Sequence, residues 1–251
     1  MFAVDFSRLT AGGALSAIGQ AFFSVSVAMG IMIAYGSYLP ADVHLPRSAV
    51  YIAIADTGVA LLAGLAIFPL VFQNGLDAAG GPGLLFVTLP LAFGQMPAGM
   101  LFGTVFFVLI AFAALTSSIA LLEPIVAWRV ERSGRGRAGV TAVAGLTAWV
   151  IGLASVLSFN LWGDFHPFGR LPLLGGKSIF DALDYLTQNV MLPLGGILIA
   201  VFVGWVMRSA DTAQEMELAA GGVVYRVWQV LVRFVAPLAI AAVLVYTLLF
   251  G

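Results

Sequence analysis

The sequence predicts an all-α integral membrane protein with six transmembrane helices. Three observations carry that reading. Of 251 residues, 61% are hydrophobic and 9% are charged, where a soluble domain carries about 25% charged residues. With a mean hydropathy of +1.06, the chain cannot cover itself with a water-compatible surface. Six apolar segments, near 12–39, 48–72, 98–124, 138–158, 178–206 and 223–250, reach the roughly 20 residues that a span needs. Most are uniformly apolar, without the period-2 alternation of outer-membrane strands. The net charge of −1 offers nothing to a nucleic acid. The absence of cysteine excludes disulfides and thiolate metal sites. No repeat or low-complexity linker divides the chain, so a single membrane domain over 1–251 is expected.

Arginine placement orients the spans. Arg129, Arg132, Arg135 and Arg137 cluster in "WRVERSGRGR" after the third span, Arg47 precedes the second, and Arg208 follows the fifth. Alternating spans put all six on one side. The loops 40–47, 129–137 and 208–221 are therefore expected in the cytoplasm of a multi-pass inner (cell) membrane protein. Arg8, Arg170 and Lys177 lie on the other side, and both termini fall outside.

The first span, "AIGQAFFSVSVAMGIMIAYGSYLP", carries Gln20, Ser24 and Ser26 between Gly19 and Gly30. Such residues serve either a broken helix, whose freed backbone groups bind ions or substrate, or close helix packing. In the second span, Asp56 lies about nine residues in, a rise of roughly 13 Å. A carboxylate at that depth needs a cation, a proton or a donor. Before the third span, Gly80, Gly81, Pro82 and Gly83 read as a re-entrant hinge, since no Lys or Ser/Thr completes a phosphate motif.

The third span is interrupted by Thr116, Ser117 and Ser118. Membrane hydroxyls often bond back to the preceding turn. Here the carbonyl of Ala113 stands three and four positions before Thr116 and Ser117, so three oxygens can converge. Hard cations prefer oxygen ligands, and two neutral hydroxyls with a carbonyl suit a monovalent ion. At the start of the fifth span, "SIFDALDYLTQN" sets Asp181 and Asp184 on one face, which also fits a plain acidic helix N-terminus. His44 and His166 have no partner at metal spacing. The run Asp211 to Glu217 reads as a solvated helix face.

The stretches "GQAFFSVSVAMG", "DTGVALLAGLAIFP", "GGPGLLFVTLP", "FAALTSSIALLEP" and "KSIFDALDYLTQNVMLPLGG" follow one another in order. Together they resemble the neurotransmitter:sodium symporters of the LeuT fold, in the bacterial amino-acid branch. The resemblance covers nearly the whole chain and implies the sixth to eleventh helices of that fold, that is, the second inverted repeat plus one further helix. "DFSRL" resembles the extracellular lead-in to the sixth.

The resemblance implies roles residue by residue. The Ala113 carbonyl with the Thr116 and Ser117 hydroxyls matches one Na⁺ site, and Ser24 and Asp56 match ligands of another. Phe23, Ser24, Ser26, Met29, Ser117 and Leu121 are expected to line the substrate pocket, with Phe23 as its outer lid. Asp184 matches the extracellular gate acid. Tyr38 and Glu131 match cytoplasmic gate positions. The arginines that both gates would meet lie in the missing first five helices. Three departures matter. Asp56 stands where many members have asparagine, so a fixed charge is expected to make chloride unnecessary. Met29, in "AMG", replaces an aromatic and suits a large hydrophobic or aromatic amino acid. Ala28 replaces a glycine at the expected unwinding.

The implied function is sodium-coupled amino-acid symport by alternating access, with co-transported Na⁺ and no organic cofactor. It requires the first five helices or a homologous subunit as partner, besides amino-acid substrate and membrane lipid. One alternative is a non-transporting membrane protein that docks on an intact homologue. Another is an intramembrane enzyme using Asp56 with Asp181 or Asp184. No nucleophile–base pair supports the latter, so no enzyme is expected.

Overall fold

A computed structural model describes residues 10–40, 42–73, 75, 81–169, 174–219 and 221–250. The "DFSRL" lead-in, Arg8, Gly80 and Arg170 lie outside them. The described residues form helices and turns without a strand. Five helices are long and apolar enough to cross a membrane: α3 (Leu45–Gln73), α5 (Gly99–Ser133), α6 (Arg137–Leu157), α7 (Ile179–Val206) and α9 (Val223–Leu249). Shorter ones are α1 (Ala11–Val25), α2 (Ile31–Gly36), α4 (Leu84–Gly94) and α8 (Ser209–Glu215).

The first expected span is thus two helices, α1 and α2, joined by a tight turn at Val27–Met29. The break follows from backbone angles. Ser26 (φ 57°) and Gly30 (φ 79°) are left-handed, a conformation that ends an α-helix. Ala28, whose glycine counterpart was expected to unwind the chain, does not carry a positive φ. The break therefore tolerates its side chain. The third span was expected to end near Pro124, yet α5 runs on to Ser133. Proline's fixed φ fits a helix and removes one donor only. The helix stops instead at Gly134 (φ 61°), whose N–H donates to the Val130 carbonyl at 2.9 Å.

The chain divides into two compact units, Ala49–Ala120 and the remainder up to Ser48 and from Leu121. In the first, Gly81 (φ 88°) leads into α4, which packs Leu89 and Phe93 with Val71 of α3. Phe106 and Phe107 of α5 close over Phe93 at ring separations of 5.4 and 6.4 Å. The glycine-rich entry is thus a fold-back onto neighbouring spans, as the hinge reading expects.

In the second unit α7 and α9 pack on α1 and on the break. The helix α7 starts at Ser178, whose hydroxyl accepts from Asp181 N–H at 3.2 Å and donates to the Asp181 carboxylate at 2.7 Å. It is locally widened into π turns at Leu186–Met191 and Phe202–Val206, and α9 at Leu231–Val235. Such widenings leave carbonyls without their usual partner. The guanidinium of Arg233 donates to the Gly204 carbonyl and lies over the Trp205 ring at 5.7 Å. An arginine in the middle of an apolar helix is therefore satisfied by backbone. The α8 region is not simply a solvated face. Asp211 and Glu215 are exposed, but Thr212 and Ala213 are buried. The buried Tyr225 hydroxyl lies 2.7 Å from the Thr212 hydroxyl and donates to the Ser209 carbonyl at 3.0 Å.

The turn into α5 is the tightest point of the first unit. A Cβ on Gly99 would stand 1.6 Å from the Phe93 carbonyl oxygen. Overpacking on this scale shifts backbone, so Gly99→Ala is expected to cost about 3 kcal/mol. Thermal unfolding in detergent checks it; an unchanged midpoint would mean that the turn is not so built.

Candidate functional site

The break between α1 and α2 sets the residues around it. The Ser26 N–H donates to the Phe23 carbonyl at 3.0 Å, and its hydroxyl turns to the same oxygen at 3.3 Å. Both groups of Ser26 are spent on ending α1. Gly30 lies against Pro124 of α5: a Cβ there would be 3.6 Å from the proline ring. Ala28 presses its carbonyl on α7, where a Cβ on Gly195 would stand 2.9 Å from it. Phe23, Gln20, Gln188 and Asn189 are among the residues around a cavity of about 270 Å³. Phe23 stands at its wall.

On α5 the hydroxyl row is exposed, as are all residues 111–119. The Thr116 hydroxyl donates back toward the carbonyls of Phe112 (3.1 Å) and Ala113 (2.9 Å). The Ser118 hydroxyl donates to Ala114 at 2.7 Å. Back-bonding is thus present, and it draws the Thr116 oxygen to the Ala113 carbonyl. A hydroxyl that donates its proton keeps lone pairs for a cation, so back-bonding and cation binding are compatible at Thr116. Ser117 and Thr116 belong to the first unit and Leu121 to the second. Ser24 belongs to the second unit and Asp56 to the first, where Asp56 is half-buried on α3.

Asp181 and Asp184 take different hydrogen-bond partners. Asp181 is engaged with Ser178 at the start of α7, as an acidic helix N-terminus requires. Asp184 instead accepts from the Gln188 amide one turn on. Both acids line a hollow of about 330 Å³ with Lys177 and Tyr185, where the lysine ammonium lies 4.6 Å from the ring centre.

The other end holds a cluster that the sequence reading passed over. Tyr38 donates its hydroxyl to the Glu123 carboxylate. Arg137, at the start of α6, donates to both Glu123 oxygens at 2.6 Å. Glu123 is 9% exposed, so its charge is compensated within the fold. Tyr38 thus pairs with Glu123, whereas Glu131 stands exposed two turns further along α5. His44, read as an ordinary loop residue, meets Glu217 at 2.9 Å. Among the described residues no three His or acidic side chains gather as a metal site.

Compared with known proteins, the sequence matches the sodium:neurotransmitter symporter family over residues 1–250. The chain belongs to this family. A sodium-dependent transporter of Bacillus subtilis is 39% identical over 240 residues, which are 95% of this chain and 52% of that protein. A sodium-dependent transporter of Haemophilus influenzae is 34% identical over 247 residues, 97% of this chain and 52% of that protein. The crystal structure of MhsT in complex with L-phenylalanine matches with a TM-score of 0.87 and 40% identity, over 98% of this chain and 55% of that one. The chain spans about half the length of the relatives it matches. The fold is the all-α LeuT-like architecture of a multi-pass membrane protein. The family's relatives are transporters rather than enzymes.

The Tyr38–Glu123 bond is testable. A hydrogen bond to a buried charged group contributes about 1.5 kcal/mol. Tyr38→Phe is expected to lower unfolding stability by about that amount, read by denaturation in detergent. Unchanged stability would show that the phenol does not hold α2 to α5.

Proposed function

We propose that the chain forms part of a sodium-coupled symporter of a large hydrophobic or aromatic amino acid, working by alternating access. The observation that carries this is the interrupted helix at Ser26–Gly30, within an apolar stretch and between Phe23 and Met29. An unwound segment at membrane depth presents backbone carbonyls and amides to a substrate's charged ends. Phe23, Ser24, Ser26, Met29, Ser117 and Leu121 are assigned to the substrate pocket. Met29, an adaptable side chain, favours a bulky substrate.

The Ala113 carbonyl and the Thr116 and Ser117 hydroxyls are assigned to one sodium. Three oxygens are fewer than a hard cation takes, so other helices must complete the shell. The first five helices of the fold, or a homologous subunit, are the proposed source. The exposure of residues 111–119 supports this, because hydroxyls facing lipid would gain nothing. Asp56 and Ser24 are assigned, by likeness to the family, as ligands of a second sodium. Asp184 serves as the outer gate acid. Tyr38 and Glu131 serve at the cytoplasmic end, where Glu123 and Arg137 hold Tyr38. Sodium then favours one of two states, and substrate the closure that follows; coupling is this difference in affinity. The loops 40–47, 129–137 and 208–221 face the cytoplasm of the inner membrane.

The test is Na⁺-dependent binding of radiolabelled tryptophan and leucine, to the chain alone and to the chain co-expressed with the first five helices of a bacterial relative. Binding is expected only in the pair, and Thr116→Ala is expected to weaken it at least tenfold, a loss of about 1.4 kcal/mol. A folded pair that binds neither amino acid would instead favour a non-transporting protein that docks on an intact homologue. Binding in the pair is expected to be indifferent to chloride. Asp56→Asn is expected to make it chloride-dependent, since an anion must then replace the lost charge. A chloride requirement before the substitution would overturn the assignment of Asp56.

A further inference from the structure

The second unit contains a groove that neither sodium nor substrate uses. It runs between α5 and α6, with a volume of about 810 Å³. Leu122, Ile125, Val140, Val143 and Ile151 give it apolar walls. Arg129, Arg135 and Trp128 stand at the end where the two helices join. Trp128, Val143 and Ile151 are more than half exposed, so the groove opens outward.

Its chemistry is graded along its length. Both arginines are exposed, and neither takes part in an ion pair among the described residues. Arg137, two residues beyond Arg135, is by contrast committed to Glu123. From Gly136 to Ile151 the helix rises about 22 Å. One leaflet, headgroups included, measures about 20–22 Å. Tryptophan and arginine at one end and aliphatic side chains at the other match the order of headgroup and acyl chain.

We propose that this groove binds an anionic phospholipid of the leaflet facing the 129–137 loop. The lipid's phosphate is held by Arg129 and Arg135 and one acyl chain lies along α6. The charge at the mouth selects an anionic headgroup, and the walls select a chain rather than a soluble phosphate. Each arginine near the surface contributes about 1 kcal/mol toward an anionic lipid, so two give roughly thirtyfold.

The experiment is native mass spectrometry of the purified chain with added phosphatidylglycerol or phosphatidylcholine of matched chains. Retention of phosphatidylglycerol is expected to exceed that of phosphatidylcholine about thirtyfold. Arg129→Gln with Arg135→Gln is expected to abolish the preference, while Arg47→Gln on another loop leaves it intact. Gly139 has no other atom within 4 Å of a Cβ position, so Gly139→Leu fills the groove without disturbing α6, and retention of either lipid is expected to fall. Equal retention of both lipids would overturn the proposal, as would a preference that survives the double arginine change or falls equally in Arg47→Gln. A lipid-free dimer lost in Gly139→Leu would assign the groove to a second copy. Loss of the lipid on co-expression with the first five helices would assign it to one of them. Inorganic phosphate competing at the same concentration as the lipid would reduce the site to a phosphate contact.

Discussion

A backbone polar group in hydrocarbon has no water to turn to, and the rest of this structure depends on that constraint. An unbroken helix satisfies it by itself. Every departure from one must therefore be compensated locally or must line a cavity or a protein contact. The departures here divide on that basis. At Ser26 the N–H and the hydroxyl both return to the Phe23 carbonyl, which closes α1 with its own groups. At Phe202–Val206 the Gly204 carbonyl is taken by Arg233 from the facing helix. A glycine is needed there for approach, since a Cβ on Gly204 would stand 2.9 Å from the arginine stem. The widened turn and the half-buried guanidinium thus answer each other's desolvation.

The hydroxyl row on α5 follows a different logic. Thr116 and Ser118 satisfy their donors within the helix, and helicity is kept. What remains on the surface are oxygens with lone pairs among exposed Phe112, Leu115 and Ile119. Lipid offers such oxygens nothing, while a cation or another helix does.

Much of this was legible in the sequence, for physical reasons that also explain the gaps. Spans are legible because twenty apolar residues have few other uses. The first span was legible as unusual, but Gly and Ser serve both tight packing and helix breaks. Only the left-handed angles at Ser26 and Gly30 decide between them. Glu123 escaped notice because Pro124 follows it and marks an apparent helix end, which makes a carboxylate there look like an interfacial residue. Its partners lie 85 and 14 residues away, and no local pattern announces either. Arg233 escaped for a similar reason. Its partner is a carbonyl freed by a widened turn, and such a turn has no composition of its own. The division of Asp181 from Asp184 was half legible: the Ser178 cap claims the acid three residues on, which leaves Asp184 for other work.

The Tyr38–Glu123–Arg137 cluster shows how one buried charge joins α5, α6 and the segment after α2. Glu123 offers two oxygens, and Arg137 contacts both while Tyr38 contacts one. Withdrawing the phenol leaves the carboxylate paired with a guanidinium, a modest loss. Withdrawing the guanidinium leaves a buried charge with one neutral donor, a far larger penalty. The two contacts are therefore unequal in kind. Arg137 follows a turn of only a few residues from α5, so its position is set by the hairpin. Tyr38 sits beyond α2, past the break whose left-handed residues can absorb a change of direction. The weaker of the two contacts is therefore the one that holds the segment from Gly30 to Tyr38, and the stronger lies within the α5–α6 hairpin.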